Sequence, residues 1–436
     1  MKRFLAIFLT ILISSLCLFS LPGCESGTND DETQKAVVYA LENTADFVCD
    51  NYGGVSDYNK RCENPEDEIE IVYFDSADAL KSKLSTELMS GGGPDLISYS
   101  LLYILGISYE KLIEQGCFAD LNEVIAADAS EDKLDLNDYN QKALEAGVVD
   151  GKRYAIPHYF KPNFYITSKQ QLSNYIDLTT KSLSYNDVIS INEKLKEENS
   201  EKLICSGASE FINDYIYDNI DFFGKTYSFD GDFGATAEKL KSIGGSTEYG
   251  ADALFSDNNS TPYELCVDMA EIEQKGETPL IVGAPSTKPD EYSAELLGAV
   301  FINQNSQHKQ QALDFIKYAL SEEVQNKTVG AQIEKYDYMY EIYSGIYYPV
   351  NNNSYDALMK NCSKIKYLDE SVSLSDNSIK MLEQSLSEIS NYKFAPSTNY
   401  MDEIGNELIS DFIDNKITTD KFVNDLSSKT QLYLTE

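Results

Sequence analysis

The chain carries 72 acidic and 35 basic side chains but only two histidines, His158 and His308. The histidines lie far apart, and no H-E-x-x-H, C-x-x-C, EF-hand loop, Walker loop or G-x-S-x-G elbow is present. Metal and serine-hydrolase chemistry therefore have no support in the sequence, and nothing calls for a cofactor. Asp230-Gly-Asp232 has the opening of a calcium loop but lacks the later acidic ligands, so it reads as a turn. A pair of carboxylates can hydrolyse a glycoside, yet in so acidic a chain nothing marks one pair. Beyond the first two cysteines, Cys49, Cys62, Cys117, Cys205, Cys266 and Cys362 remain. No more than one bridge is expected among them, and Cys49 and Cys62 are the nearest pair.

At 436 residues the chain is long enough for two or three domains, and 42% hydrophobic residues suit a folded protein. The formal charge of −37 repels phosphate backbones, which excludes nucleic acid as a partner, and it excludes a polybasic patch on anionic lipid. At the amino terminus, Lys2 and Arg3 precede an apolar run from Phe4 to Leu21. That run is long enough for a membrane span, but it ends in Leu21-Pro-Gly-Cys24, which resembles the bacterial lipobox. The resemblance implies a signal peptide over 1–23, lipidation of Cys24 and a polar tether over 24–35. The globular part is then held at the extracytoplasmic face of the cell membrane by a lipid anchor alone.

The elements that must position any site begin with Ala36–Leu41, a strand with Glu42 and Asn43 in the loop at its carboxyl end. Glu68–Phe74 is a second strand. Asp75 and Ser76 are good caps for a helix carrying Ala77, Leu80, Leu84 and Leu88 at helical spacing. Gly91 to Gly93 and Pro94 end that helix, and Leu96-Ile97 opens a third strand. This is a βαβ unit with parallel strands and a right-handed crossover. It places Asp75 and Ser98–Ser100 at the carboxyl edge of the sheet, where open α/β sheets bind ligands. Further on, a helix starts at Tyr109 and stops at Gly116, and Asp150-Gly151 is a turn. Phe164–Thr167 is a strand, Val188–Glu198 a helix capped by Asp187, and Phe222-Phe-Gly224 an aromatic turn. Pro279–Gly283 and Leu296–Ile302 are strands. Ser306 caps a helix with Ala312, Leu313, Ile316 and Leu320 on one face.

Several of these phrases are similar to those of the extracellular solute-binding proteins of ABC importers, family 1, carbohydrate type. They are Gly92-Gly-Pro-Asp95 between helix and strand, the Gly116 stop before Ala119-Asp-Leu121, and Asp150-Gly-Lys-Arg-Tyr-Ala-Ile-Pro157. Ala312-x-x-Phe-Ile-x-x-x-Leu320 and Tyr348-Pro-Val350 follow in the family's order. The resemblance implies an α/β, two-lobed, periplasmic-binding-protein-like fold of type II. Each lobe would hold a mainly parallel sheet flanked by helices, and three hinge crossovers would join them. Lobe one would be 36–157 plus 298–388, and lobe two 158–297 plus 392–436.

It also implies binding rather than catalysis, with a sugar or oligosaccharide trapped between lobes and passed to the permease subunits of an ABC transporter by a monomeric protein. A sugar cleft needs flat rings for pyranose C–H faces and polar groups for hydroxyls. The implied contacts are Tyr99, after the third strand; Glu42, Asn43 and Asp75, at strand edges; Tyr159 and Lys161, after the hinge proline; and Phe223 and Tyr400 in lobe two. Two features depart from the family. The chain has no tryptophan but 31 tyrosines, and its loop from Asn43 to Pro65 is long. A peptide, a polyamine or another cation on the same fold, or a surface glycosidase, are the alternative readings.

Overall fold

The computed structural model describes residues 35–42, 54–198, 204–243, 253–256, 262–330, 347–362, 365–367, 370–395 and 400–435. Cys24, Asn43 and Cys49 lie outside the described residues. In chain order the main strands are β1 (Val37–Leu41), β2 (Glu70–Phe74), β3 (Leu96–Ser98), β4 (Tyr159–Pro162), β5 (Phe164–Ser168), β6 (Pro279–Gly283), β7 (Tyr292–Leu297), β8 (Val300–Ile302), β9 (Tyr348–Pro349) and β10 (Ile389–Phe394).

The first sheet has the order β8-β3-β1-β2. β1 is parallel to β2 and β3, and β8 is antiparallel to β3. The expected βαβ unit is present: helix Ala77–Met89 carries the chain from β2 to β3 and buries Leu80, Leu84 and Leu88. Such burial is worth about 1.5–3 kcal/mol per leucine. Ser76, not Asp75, caps this helix, its Oγ accepting from the Ala79 N–H at 3.3 Å. Gly91 and Gly93, with φ of 81° and 98°, make the stop, a conformation that costs a residue with a Cβ.

Elsewhere the strand directions correct the expectation of a mainly parallel sheet in each lobe. The second sheet runs β9-β4-β7-β10. Only β7 and β10 are parallel in it, while β4 pairs antiparallel with β7 and with β9. β5 and β6 form a separate antiparallel pair. The reason lies in the chain path. β4 and β5 form one outgoing run broken only at Asn163, and β6 and β7 return beside it, so each return strand meets its partner head to tail.

Three local details also differ from the sequence reading. The strand expected over Leu296–Ile302 is two strands, because Gly298 at φ 66° turns the chain from the second sheet into the first. The helix expected from Val188 starts at Tyr185 and is capped by Ser184; Asp187 instead accepts from the Ser184 N–H at 2.8 Å in a capping box. Ser306 does not cap its helix: His308 stands at that position, and the Ser306 hydroxyl donates to Asp95 Oδ1 at 2.6 Å.

Two hydrophobic cores result. One packs the first and second sheets with the helices beside them, including Tyr109–Glu114 and Lys309–Leu320. The other gathers Tyr185–Glu197, Ala208–Asp218, Phe233–Leu240 and Thr419–Thr435 against Tyr165 and Val282 of β5 and β6. Among the described residues no helix is long and apolar enough to cross a membrane.

Candidate functional site

The chain passes between the two cores at β4–β5, at β6–β7 and at β10, and β4, β7 and β10 lie side by side in the second sheet. Burial alternates along β7, with Tyr292, Ala294 and Leu296 buried and Ser293, Glu295 and Leu297 half-buried. Glu295 therefore stands in a row, paired with Lys161 of β4 on one side and Lys393 of β10 on the other. Desolvation pushes its carboxyl above the usual range, and the two lysines oppose that rise. Lys393 Nζ also lies 3.5 Å from Asp218 Oδ1. Asp218 Oδ2 accepts from the Tyr185 hydroxyl at 3.1 Å and the Thr287 N–H at 3.2 Å. A charge network thus ties β4, β7 and β10 to the end of the Ala208–Asp218 helix.

Beside this row opens a cavity of about 830 Å³ between the two cores. Tyr109, Glu110 and the Glu145–Asp150 turn form one wall. The segment Tyr217–Phe223 and the Ser286–Lys288 loop form the opposite wall, and Asn391–Phe394 of β10 form the floor. The volume lies within the range of small-molecule sites. Its most exposed large ring is Phe223, at 39%. A short hairpin, Ile220–Asp221 with Thr226–Tyr227, holds that ring out. The Gly224 N–H donates to Asp221 Oδ1 at 2.8 Å, which closes this turn.

Glu110 is 5% exposed and accepts from the Ser108 hydroxyl at 2.7 Å; burial pushes its carboxyl up. The same short helix bridges the two cores. Tyr109 meets Phe223 edge-on at 6.1 Å, Glu114 pairs with Lys225 at 2.7 Å, and the Lys111 ammonium sits 4.1 Å from the centre of the Tyr433 ring.

Of the residues proposed from sequence, Phe223 lines this cavity, and Lys161 joins it through the Glu295 row. Tyr99 is 4% exposed: its hydroxyl donates to the Ala395 carbonyl at 2.8 Å and its ring packs on Phe394 at 4.9 Å. It supports the floor from beneath. Tyr159 is buried in β4, where it pairs with Leu297 and Pro349. Tyr400 is corrected from contact to core. It is 0% exposed, with its hydroxyl 2.7 Å from Thr430 Oγ1 and its ring edge-on to Phe222. Glu42 and Asp75 are exposed at the carboxyl ends of β1 and β2, outside the cavity lining.

Sequence reasoning missed Glu110, Tyr217, Asp218, Glu295 and Lys393. Only β10 left a signal, since in Ile389-Ser-Asn-Tyr-Lys-Phe394 the apolar ends enclose a polar middle. Among the described residues, no cluster of side chains is arranged to hold a metal ion.

Comparison with known proteins decides the family. The sequence profile of the bacterial extracellular solute-binding proteins matches residues 47–326. The chain belongs to this family. Solved structures agree on the fold. The sugar-binding protein MalE from Xanthomonas citri is 14% identical with a TM-score of 0.56, covering 92% of this chain and 98% of its own. The GacH receptor of Streptomyces glaucescens, solved unliganded and with acarbose, is 12% identical with a TM-score of 0.54, over 92% and 99%. Lmo0181 from Listeria monocytogenes, an ABC substrate-binding protein in complex with cycloalternan, is 13% identical with a TM-score of 0.53, again over 92% and 99%. At such identities the likeness shows the architecture: this solute-binding protein has the two-lobed fold. A search of curated proteins by sequence finds no match.

Proposed function

We propose that this solute-binding protein is anchored by lipid at Cys24 to the extracytoplasmic face of the cell membrane, traps an oligosaccharide between its lobes and delivers it, as a monomer, to an ABC permease. Lobe one is 36–157 plus 298–388, and lobe two 158–297 plus 392–436. The observation that carries the reading is the cavity between the lobes, with an exposed ring at Phe223, half-buried rings at Phe222, Tyr217 and Tyr392, and polar groups among them. Rings match the C–H faces of pyranoses, and carboxylates and amides match their hydroxyls. The names of the structural relatives, with cycloalternan, acarbose and sugar in them, make saccharides the first ligands to test. Closure on ligand, not bond cleavage, is the mechanism: a ligand that touches both walls favours the closed population by its differential affinity.

A second reading, a cationic ligand, draws on the charge of the walls. Glu110, Glu145, Asp150, Asp218 and Asp221 face the cavity against Lys288 and Lys393. A thermal-shift screen of sugars, peptides and polyamines separates the two, because a ligand that binds only the folded state raises the melting temperature. A shift with an oligosaccharide series supports the first reading. A shift with polyamines alone replaces it by the second.

A further inference from the structure

The second sheet borders another cavity, of about 240 Å³, and Tyr392 lines both. Its apolar walls are Phe160 of β4, Tyr392 of β10 and Tyr355. The buried Phe160 ring packs 6.3 Å from Tyr355 at 27° and 5.4 Å from Tyr392 at 79°, and so holds these two half-buried rings in the pocket wall. Its polar groups are partly committed. Asn140 Nδ2 donates to the Tyr392 hydroxyl at 3.1 Å, Gln141 Nε2 to the Tyr139 carbonyl at 2.9 Å, and Asn352 Nδ2 to the Asn137 carbonyl at 3.4 Å. The amide oxygens of Gln141 and Asn352, both on the exposed rim, accept from no donor among the described residues and are open to a ligand. Lys142, the one charged residue in the lining, donates to the carbonyls of Ser387 and Ile389 at 3.3 and 2.8 Å.

We propose that this pocket is a second ligand site, taking one pyranose ring of a neutral monosaccharide. Size limits the occupant to a single ring, since the volume falls below that of drug-sized sites. Charge disfavours cations. No carboxylate lines the pocket, in contrast to the main cavity, so a cation finds no counter-charge, and Lys142 is turned toward two backbone carbonyls. What remains are open amide acceptors beside half-buried aromatic rings, which the hydroxyls and C–H faces of a sugar ring match. The site also has a lever on the main cleft. Phe160 and Tyr392 belong to two of the three chain passages between the lobes, so bending there changes the spacing of the walls. An occupant that prefers one spacing shifts the open–closed balance, and by linkage the cleft ligand changes its affinity in return.

The test titrates D-glucose, D-galactose and D-mannose into the purified protein, read by saturation-transfer NMR and by melting temperature. Wild type is compared with the cleft variant Phe223→Ala and two pocket variants. Asn352→Trp fills the pocket from an exposed rim position, and Gln141→Ala removes an acceptor without adding bulk. The expected result is a signal from at least one sugar that persists in Phe223→Ala, is lost in Asn352→Trp and is weakened in Gln141→Ala. Silence from all three sugars in wild type overturns the site. So does a signal that disappears in Phe223→Ala and survives in Asn352→Trp, since that sugar sits in the cleft. Because Phe223→Ala disables only the cleft, this outcome is read separately from the fate of the oligosaccharide proposal.

Discussion

His158 gives the hinge a built-in sensitivity to acid whose size can be worked out. It precedes β4, is 4% exposed, and its carbonyl accepts from Gln325 Nε2 at 2.9 Å and the Val350 N–H at 3.3 Å. Its imidazole Nε2 has no hydrogen-bond partner among the described residues. Desolvation alone lowers its pKa from 6.5 to about 3, so the buried ring stays neutral. A depressed histidine contributes nothing adverse above the unfolded pKa, where both states are neutral. Below it the unfolded chain takes up a proton that the folded chain refuses, and stability falls by about 1.4 kcal/mol per pH unit. At pH ~5 that is about 2 kcal/mol, and the loss levels off near the folded pKa. His158→Phe keeps a ring and removes the titrating group. Urea unfolding at pH ~7.5 and ~5 should show wild type losing about 2 kcal/mol more than the variant on acidification. Parallel losses in the two proteins would refute the buried neutral state, because the remaining carboxylates titrate equally in both.

Other consequences are as direct. Phe223→Ala removes the exposed ring of the cleft and should weaken ligand binding about tenfold, or about 1.4 kcal/mol, in a calorimetric titration while the melting temperature holds; unchanged affinity takes Phe223 out of the site. Gly298→Ala places a Cβ at φ 66° and 3.4 Å from the His158 Cβ, so the urea midpoint should fall by an equivalent of about 1–2 kcal/mol. An unaltered midpoint would show that the β7–β8 turn does not depend on glycine. Lys225→Ala cuts the half-exposed Glu114–Lys225 pair across the lobes. Such pairs contribute below about 1 kcal/mol, so stability should hold while the radius of gyration of the ligand-free protein rises in X-ray scattering. A constant radius would mean that this pair does not restrain the lobes.

What the sequence disclosed follows the range over which the physics acts. β1, β2, the Ala77–Met89 helix and β3 are legible because a cap, a periodic apolar face and a glycine stop are all local signals. The antiparallel pairing of β5 with β6 joins Phe164 to Gly283, and no local pattern encodes a partner that distant. Tyr400 and Phe223 show the same limit at the site. Both are aromatic, yet one is sealed by Phe222 and Thr430 while the other is held out by a short hairpin. Residue type gives the chemistry of a ring, and only packing gives its direction. Glu295 and Lys393 were illegible for a related reason, because their charges acquire meaning from register across three strands.

The central claim, capture of an oligosaccharide between the lobes, is tested most directly by calorimetric titration of α- and β-linked oligosaccharide series into the purified protein. Saturable one-to-one binding to one series is expected, weakened in Phe223→Ala. Binding confined to polyamines or peptides, or sugar binding indifferent to Phe223, would contradict it.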